Sequence, residues 1–383
     1  MTNTHTGTMI SLAATTWDVI IIGAGPAGAT LALELSRQGL QILLVDQATF
    51  PRDKVCGGCL NGNALAALSH LGLTDLPRQL GGQPVQQLRL QNEGRFTDIR
   101  VETGISISRS AFDAALIKRC IDAGVTFQSG VRANADELED GKPVVLLQST
   151  TKNVFCQCHI VVVTHGLKAG TTAPKSRFGA GVVLADTPPA SPLNTISMAI
   201  AAGGYVGGVH VEAGRYVLAA AFDAGFVKAT GSLGHAAAEV LQQAGLPSIP
   251  GLEQAAWKGT PLLTRKPDRI AGNHWFAVGD AAGYVEPFTG EGMAWAISGA
   301  LALAPIVHAA IKQWEDAHVQ NWIRTHVRLV GQRQLTCRLL SRLLRSQRLT
   351  SLMISSLSWC PALAWPFVRH LNRPTSLLQG EAQ

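Results

Sequence analysis

Charge is scarce in this sequence, and strongly apolar runs are short. Only 15% of the 383 residues are Asp, Glu, Lys or Arg, against 46% hydrophobic; a typical soluble domain carries about 25% charged residues. With a mean hydropathy of +0.17, the chain has enough apolar surface to offset its ordering entropy, which excludes intrinsic disorder. No stretch reaches eighteen strongly apolar residues. The uncharged segment 349–368 is interrupted by four serines and by Pro361 and Pro366, so a spanning helix is not expected. The first sixteen residues hold no Lys or Arg and no long apolar core; they read as a polar, disordered lead-in and not as a signal peptide. Seven cysteines in a chain of this length make no disulfide scaffold, and the odd total suits a reducing cytosol. Acidic residues are missing between 317 and 380, where nine arginines lie, whereas residues 1–316 hold 23 basic and 25 acidic residues. The net charge of +6 therefore belongs to the C-terminal segment.

The pattern that remains is that of an α/β protein. Asp18–Ile22 is an uninterrupted β-branched run, as expected of a parallel strand buried on both faces. A glycine-rich turn follows, then a helix over 29–38 stopped by Gly39, then a second buried strand, Gln41–Asp46. Further helices are expected over 63–71, over 110–124 with Ser110 as its N-cap, over 232–244 and over 293–311. Apolar strands are expected at 125–130, 159–164 and 275–280, and alternating, half-exposed strands at 85–101 and 177–222. The region beyond 311 reads as helical. These pieces define a Rossmann-like domain in three segments (17–80, 106–170 and 271–310), interleaved with a mixed sheet at 81–105 and 171–270, and a helical region at 311–383.

The turn carries the pattern G-x-G-x-x-G at Gly23, Gly25 and Gly28, with Pro26 and Ala27 between the last two. It leaves an apolar strand, enters a helix, and is followed by Asp46 at the end of the next strand. In that context it points to a dinucleotide: glycines for the tight turn and close backbone approach, helix amides for a pyrophosphate, and the carboxylate for a ribose hydroxyl. The chain has no second unit of this kind. A second helix entry, Gly279-Asp280 through Pro287, Gly290, Glu291, Gly292 and Met293, again presents helix amides.

Together these residues resemble the geranylgeranyl reductase-like branch of the FAD superfamily that also holds p-hydroxybenzoate hydroxylase, the class A flavin monooxygenases and the flavin halogenases. The resemblance covers most of 17–310. It implies that Gly279 and Asp280 meet the ribityl chain of FAD, that the turn from Pro287 to Gly292 lies along the isoalloxazine ring, and that Met293 is among the cofactor-binding residues. It implies a cofactor-binding role for the loop holding Arg52, Cys56, Gly57 and Gly58, and it places Arg109 near the ribose or pyrophosphate. NAD(P)H would be at most a transient electron donor. One departure stands out: many relatives carry Asp-Gly after the strand at 160–164, where this chain has His165-Gly166. That substitution weakens an NADPH-dependent hydroxylase reading and leaves FAD untouched.

The family's chemistry ranks as follows: reduction or dehydrogenation of a hydrophobic prenyl, polyketide or lipid-like molecule first, and flavin-dependent hydroxylation of an aromatic or polyketide substrate second. Halogenation comes third, because no Trp lies two residues from another and the Trp-x-Trp-x-Ile-Pro signature is absent. A non-catalytic flavin-fold protein is the competing class. Catalytic residues are not assignable; His165, His210 and Tyr205 are candidate proton donors. Cys56 and Cys59 have the spacing of a redox dithiol, but their companions Cys156 and Cys158 have poor spacing for zinc, so no metal is expected. The arginine-rich helices read either as a core cap with a solvated basic face or as a peripheral contact with anionic lipid over 317–373. Nucleic acid is not expected as a partner, and the location implied is cytoplasmic.

Overall fold

The computed structural model describes residues 8–139, 142–167, 170–188, 191–286 and 288–373. Strand Trp17–Ile22 sits near the middle of a sheet, with Ile42–Asp46 on one side and Asn153–Val163 on the other, both parallel to it. Thr126–Ser129 and Trp275–Ala277 extend the sheet outward, also in parallel. Residues Val19 to Ile21 are fully buried, which is why this run tolerates no polar side chain on either face. Helix Pro26–Arg37 packs against helix Gly292–Lys312 on one side of this sheet. By length and composition Gly292–Lys312 could cross a bilayer, against the expectation from sequence, but 72% of its most apolar stretch is buried inside the protein. Its apolarity is that of a core element.

Three local expectations are corrected. Residues Met9–Ala13 form a helix inside the stretch read as disordered: Thr8 and Ser11 make a reciprocal capping box, and Leu12 is buried. The Trp17 Nε1 donates to the Leu12 carbonyl at 3.1 Å and ties that helix to the first strand. The N-cap of helix Arg109–Asp122 is Ser108, not Ser110; its hydroxyl accepts from the Ala111 amide at 3.2 Å. And residues 131–158, which showed no element in the sequence, form strands Arg132–Glu139 and Lys142–Gln148 plus the first half of Asn153–Val163. That last strand alternates exposed and buried residues where it pairs antiparallel with Lys142–Gln148, then becomes buried on both faces where it joins the parallel sheet. One strand thus follows two patterns, and only its second half announces itself.

A second, seven-stranded sheet runs in the order Lys258–Leu262, Phe178–Leu184, Tyr216–Phe222, Gly204–His210, Thr195–Ala201, Gln87–Asn92, Arg95–Arg100. Helix Leu233–Ala244 covers one face, closing a core of Val206, Leu218, Phe222 and Val240. The opposite face carries Leu90, Ile99, Met198 and Tyr205, and it is covered by the C-terminal helices through Leu344, Ile354, Ala364 and Val368.

Those helices comprise Ala317–His326, a π-helical turn at Val327–Gly331, Gln332–Leu343, Gln347–Trp359 and Trp365–Asn372. Trp322 anchors the group: it is fully buried, and its Nε1 donates to the Ala277 carbonyl at 3.0 Å. Trp322→Phe leaves that buried carbonyl unpaired, and the expected cost is about 1–3 kcal/mol, read as a lowered midpoint of thermal unfolding.

Candidate functional site

The glycine turn is shaped by contacts that a side chain would destroy. An ideal Cβ on Gly28 would lie 1.9 Å from the Gly23 carbonyl oxygen and 2.7 Å from Thr164 Oγ1. Gly23 itself has φ of +115°, a backbone conformation suited to glycine. The Thr164 hydroxyl donates to the Gly23 carbonyl at 2.6 Å, fixing the turn to the neighbouring strand. Helix Pro26–Arg37 starts at Gly25 with no capping side chain, so its first amides face outward, ready for an anion. Asp46 braces the same turn: its carboxylate accepts from the Ala24 amide and the Ala48 amide, each at 2.8 Å.

Arginine and aspartate complete this end. Arg109 is nearly buried and forms a two-pronged pair with Asp113, both contacts at 2.8 Å. Burial works against the Arg109 charge, but Asp113 outweighs it and raises the guanidinium pKa. A Cβ on Gly25 would sit 3.5 Å from Arg109 Nη2, so this cation borders the start of helix Pro26–Arg37. Arg52 lies behind it, 3.6 Å from Asp46 and 3.4 Å from Asp113.

From this turn a single cavity of about 460 Å³ runs between the two sheets. Its near end is lined by Gly25, Pro26, Ala27, Cys56, Gly57, Gly58, Arg109, Asp280, Gly290, Gly292 and Met293; eleven residues expected to hold cofactor thus share one wall. Gly279 is placed just behind, where a Cβ would come within 3.0 Å of Ala27 Cβ. Pro287 lies outside the described residues. Glu291 does not face the cavity. It is fully buried and pairs with Arg333 Nη1 at 2.8 Å, with Cys337 Sγ donating at 3.7 Å.

The residues present fit an FAD molecule: a cradle that a Cβ would fill, uncapped helix amides, an adjacent buried cation, and a cavity that continues from them. Sequence reasoning missed Lys54 and Tyr284 as members of this wall. Lys54 faces Asp280 at 4.0 Å; burial lowers its pKa, Asp280 opposes that, and Arg109 and Arg52 add to it. Burial holds the Tyr284 hydroxyl well above its ordinary pKa, so it stays protonated. The Cys59 thiol is pushed up to about 12 by burial and by Cys56, and both cysteines are free thiols.

The far end of the cavity is apolar. Leu88, Leu90, Ile99 and Met198 of the sheet face Met353, Leu357, Leu363 and Phe367 of the C-terminal helices. Among the described lining residues only Lys54, Arg109 and Asp280 are charged, all at the near end. The C-terminal helices are therefore a wall of the chamber, a role the sequence did not reveal. Two arginines of this region also pair with buried acids. Arg333 holds Glu291, while Arg345 reaches Asp223 at 2.9 Å and Glu286 at 3.5 Å beside Arg177, itself 3.2 Å from Glu286. Burial raises the pKa of both Glu286 and Glu291, against the pull of these arginines.

Residues 16–172 match the family described as FAD binding domain. A menaquinone reductase of Mycobacterium tuberculosis is 31% identical over 162 residues, 40% of this chain and 38% of that protein. A geranylgeranyl diphosphate reductase of Rhodobacter capsulatus is 29% identical over 155 residues, 39% of this chain and 37% of that one. The chain thus spans well under half the length of these curated relatives in the matched region. The structure of the flavin-dependent brominase Bmp2 superposes with a TM-score of 0.75 at 16% identity, covering 95% of this chain and 98% of the brominase; at that identity the likeness is one of fold.

Proposed function

We propose, from the premise that this chain belongs to the FAD-dependent oxidoreductase superfamily and carries an FAD-binding domain at residues 16–172, that it reduces or dehydrogenates a hydrophobic prenyl, polyketide or lipid-like molecule. The observation that carries this reading is the division of the cavity. Charged lining residues are confined to the nucleotide end, and the remainder is mostly aliphatic, aromatic and glycine positions, its polar members being uncharged ones such as Thr103, Thr260 and Asn372. Such a chamber orients an apolar substrate with few polar contacts. The quinone and isoprenoid reductases among the relatives support the same substrate class. NAD(P)H serves as a transient donor in this reading, and the protein works in the cytoplasm.

When bound, FAD supplies two-electron redox capacity at the junction of the two halves. The chain does the rest. Gly25 and the amides of helix Pro26–Arg37 bind the phosphates beside Arg109, and Asp113 keeps that arginine charged and oriented. Tyr284 lines the cavity where its near and far halves meet, close to Gly292, and its protonated Oη can donate a hydrogen bond to a substrate oxygen. Met198, Leu357 and Phe367 exclude water from the reacting end.

Anaerobically reduced holoenzyme, mixed in separate arms with a long-chain naphthoquinone, a geranylgeranyl-bearing alkene and O₂, tests the reading. Rapid return of oxidised-flavin absorbance with an organic acceptor, together with its conversion, is the expected result. Rapid reoxidation by O₂ alone, with oxygen incorporated into an added aromatic, replaces reduction by hydroxylation. Protein that gains no flavin absorbance on titration with FAD ends the scheme. Ala219, on strand Tyr216–Phe222, lines the chamber. Ala219→Leu is expected to lower kcat/KM for a bulky substrate about tenfold or more while bound FAD stays stoichiometric.

A further inference from the structure

The C-terminal helices present an outer face whose chemistry nothing inside the fold explains. Of the twelve large hydrophobic side chains exposed among the described residues, eight lie between 327 and 365. Trp359 is 95% exposed, Leu352 65%, Leu363 64% and Trp365 51%. Helices Gln347–Trp359 and Pro361–Asn372 are bent by 116° about Cys360, so Trp359, Leu363 and Trp365 gather at the tip of an elbow. Arg348 and Arg369 are exposed on these two helices and Arg338 and Arg342 on the preceding helix, Gln332–Leu343, Arg369 lying 5.2 Å over the Trp365 ring. No acidic residue occurs from 317 to 380. Arg333 and Arg345 are already committed to buried acids; the exposed arginines have no such duty. Leu363 is at once exposed to solvent and part of the cavity lining, so the wall there is one side chain thick.

We infer that this elbow seats in the headgroup–acyl boundary of an anionic phospholipid bilayer, turning the thin wall at Leu363 toward the acyl chains so that substrate enters the chamber from the membrane. The inference deepens the reading above and rests on its hydrophobic substrate. Tryptophans at an apolar tip and flanking arginines match the interface and its anionic headgroups. A second copy of the chain would bring like charges together, and a nucleic acid would leave the tip's tryptophans and leucines wet.

Co-sedimentation of the FAD-loaded full chain is the test. The vesicles are 70% phosphatidylcholine with 30% phosphatidylglycerol, or phosphatidylcholine alone. Binding is expected on the anionic vesicles and to fall about 30-fold in Arg338→Gln/Arg342→Gln, and about tenfold or more in Trp359→Ser/Trp365→Ser. None of these four residues lines the cavity, so flavin content and turnover of a water-soluble short-chain acceptor should be unchanged. Lipids brominated on their acyl chains should quench tryptophan emission in the parent chain and much less in the tryptophan variant. Absence of binding, equal binding to neutral vesicles, or binding indifferent to both variants overturns the inference. So does a dimer in size-exclusion chromatography that the variants dissociate. Sedimentation needs no turnover: vesicle binding without conversion of any organic acceptor defeats the reductase reading alone, and conversion without vesicle binding defeats this inference alone.

Discussion

Gly28→Val will yield protein that binds no FAD. The Cβ alone would sit 1.9 Å from the Gly23 carbonyl and 2.7 Å from the Thr164 hydroxyl; the first is backbone, and the second is tied to the Ile22 and Gly23 carbonyls. Helix and strand must separate, which moves the Gly25 amides away from Arg109 and spoils the anion site. Overpacking of this kind costs about 1–3 kcal/mol in ordinary cores, and here the displaced atoms are the binding atoms themselves. Absorbance near the flavin band, measured after desalting from excess FAD, should be missing, with a lowered thermal midpoint. Gly25→Ala is the matching control. Its Cβ meets only Arg109 Nη2 at 3.5 Å, so affinity should fall modestly and flavin should still bind. Equal flavin content in Gly28→Val and the parent would remove the turn from the site.

Arg333→Met should be the most destabilising change in the C-terminal helices. Glu291 has no exposure and would lose its ion-pair partner. Removing one member of a buried pair costs about 3–5 kcal/mol, because the other charge stays buried. The pH dependence identifies the cause. Burial already raises the Glu291 pKa in the parent protein, and Arg333 opposes the rise. A carboxylate whose folded pKa lies above its unfolded value stabilises fully below the unfolded pKa and loses that contribution as pH rises through the folded one. Without Arg333 the folded pKa climbs further. The deficit of the variant should therefore be largest near pH 8 and shrink toward pH 5, in urea melts. Glu291→Gln/Arg333→Met should recover most of the loss. A deficit flat in pH would show that Arg333 acts through its contacts with the Leu371 and Arg373 carbonyls and not through Glu291.

The nucleotide end of the site was legible because it depends on local rules. A turn that admits only glycine, a helix that begins there and a strand buried on both faces each leave a mark within a few residues. Gly23 to Gly28 and Asp46 could be read that way, whereas Arg109 came only from the family resemblance. The substrate end was not, since Leu90, Met198, Leu357 and Phe367 converge from four elements and each looks like ordinary core. Glu291 shows the limit of transferring a motif. It lies in the turn that the resemblance names, yet its carboxylate turns to Arg333, 42 residues away. The lack of acids between 317 and 380 was a real signal; it could not say that Arg333 and Arg345 would pair with buried acids and the others would not.

The position of strand Trp17–Ile22 between Ile42–Asp46 and Asn153–Val163 bears on how the protein is made. A ribosome delivers the second neighbour roughly 130 residues after this strand, about 7–26 s later at ordinary elongation rates. Through that interval a β-branched segment waits with one edge open, the state from which intermolecular pairing starts. Expression yield should depend on translation speed and on chaperone capacity before residue 163 emerges, whatever the stability of the finished fold.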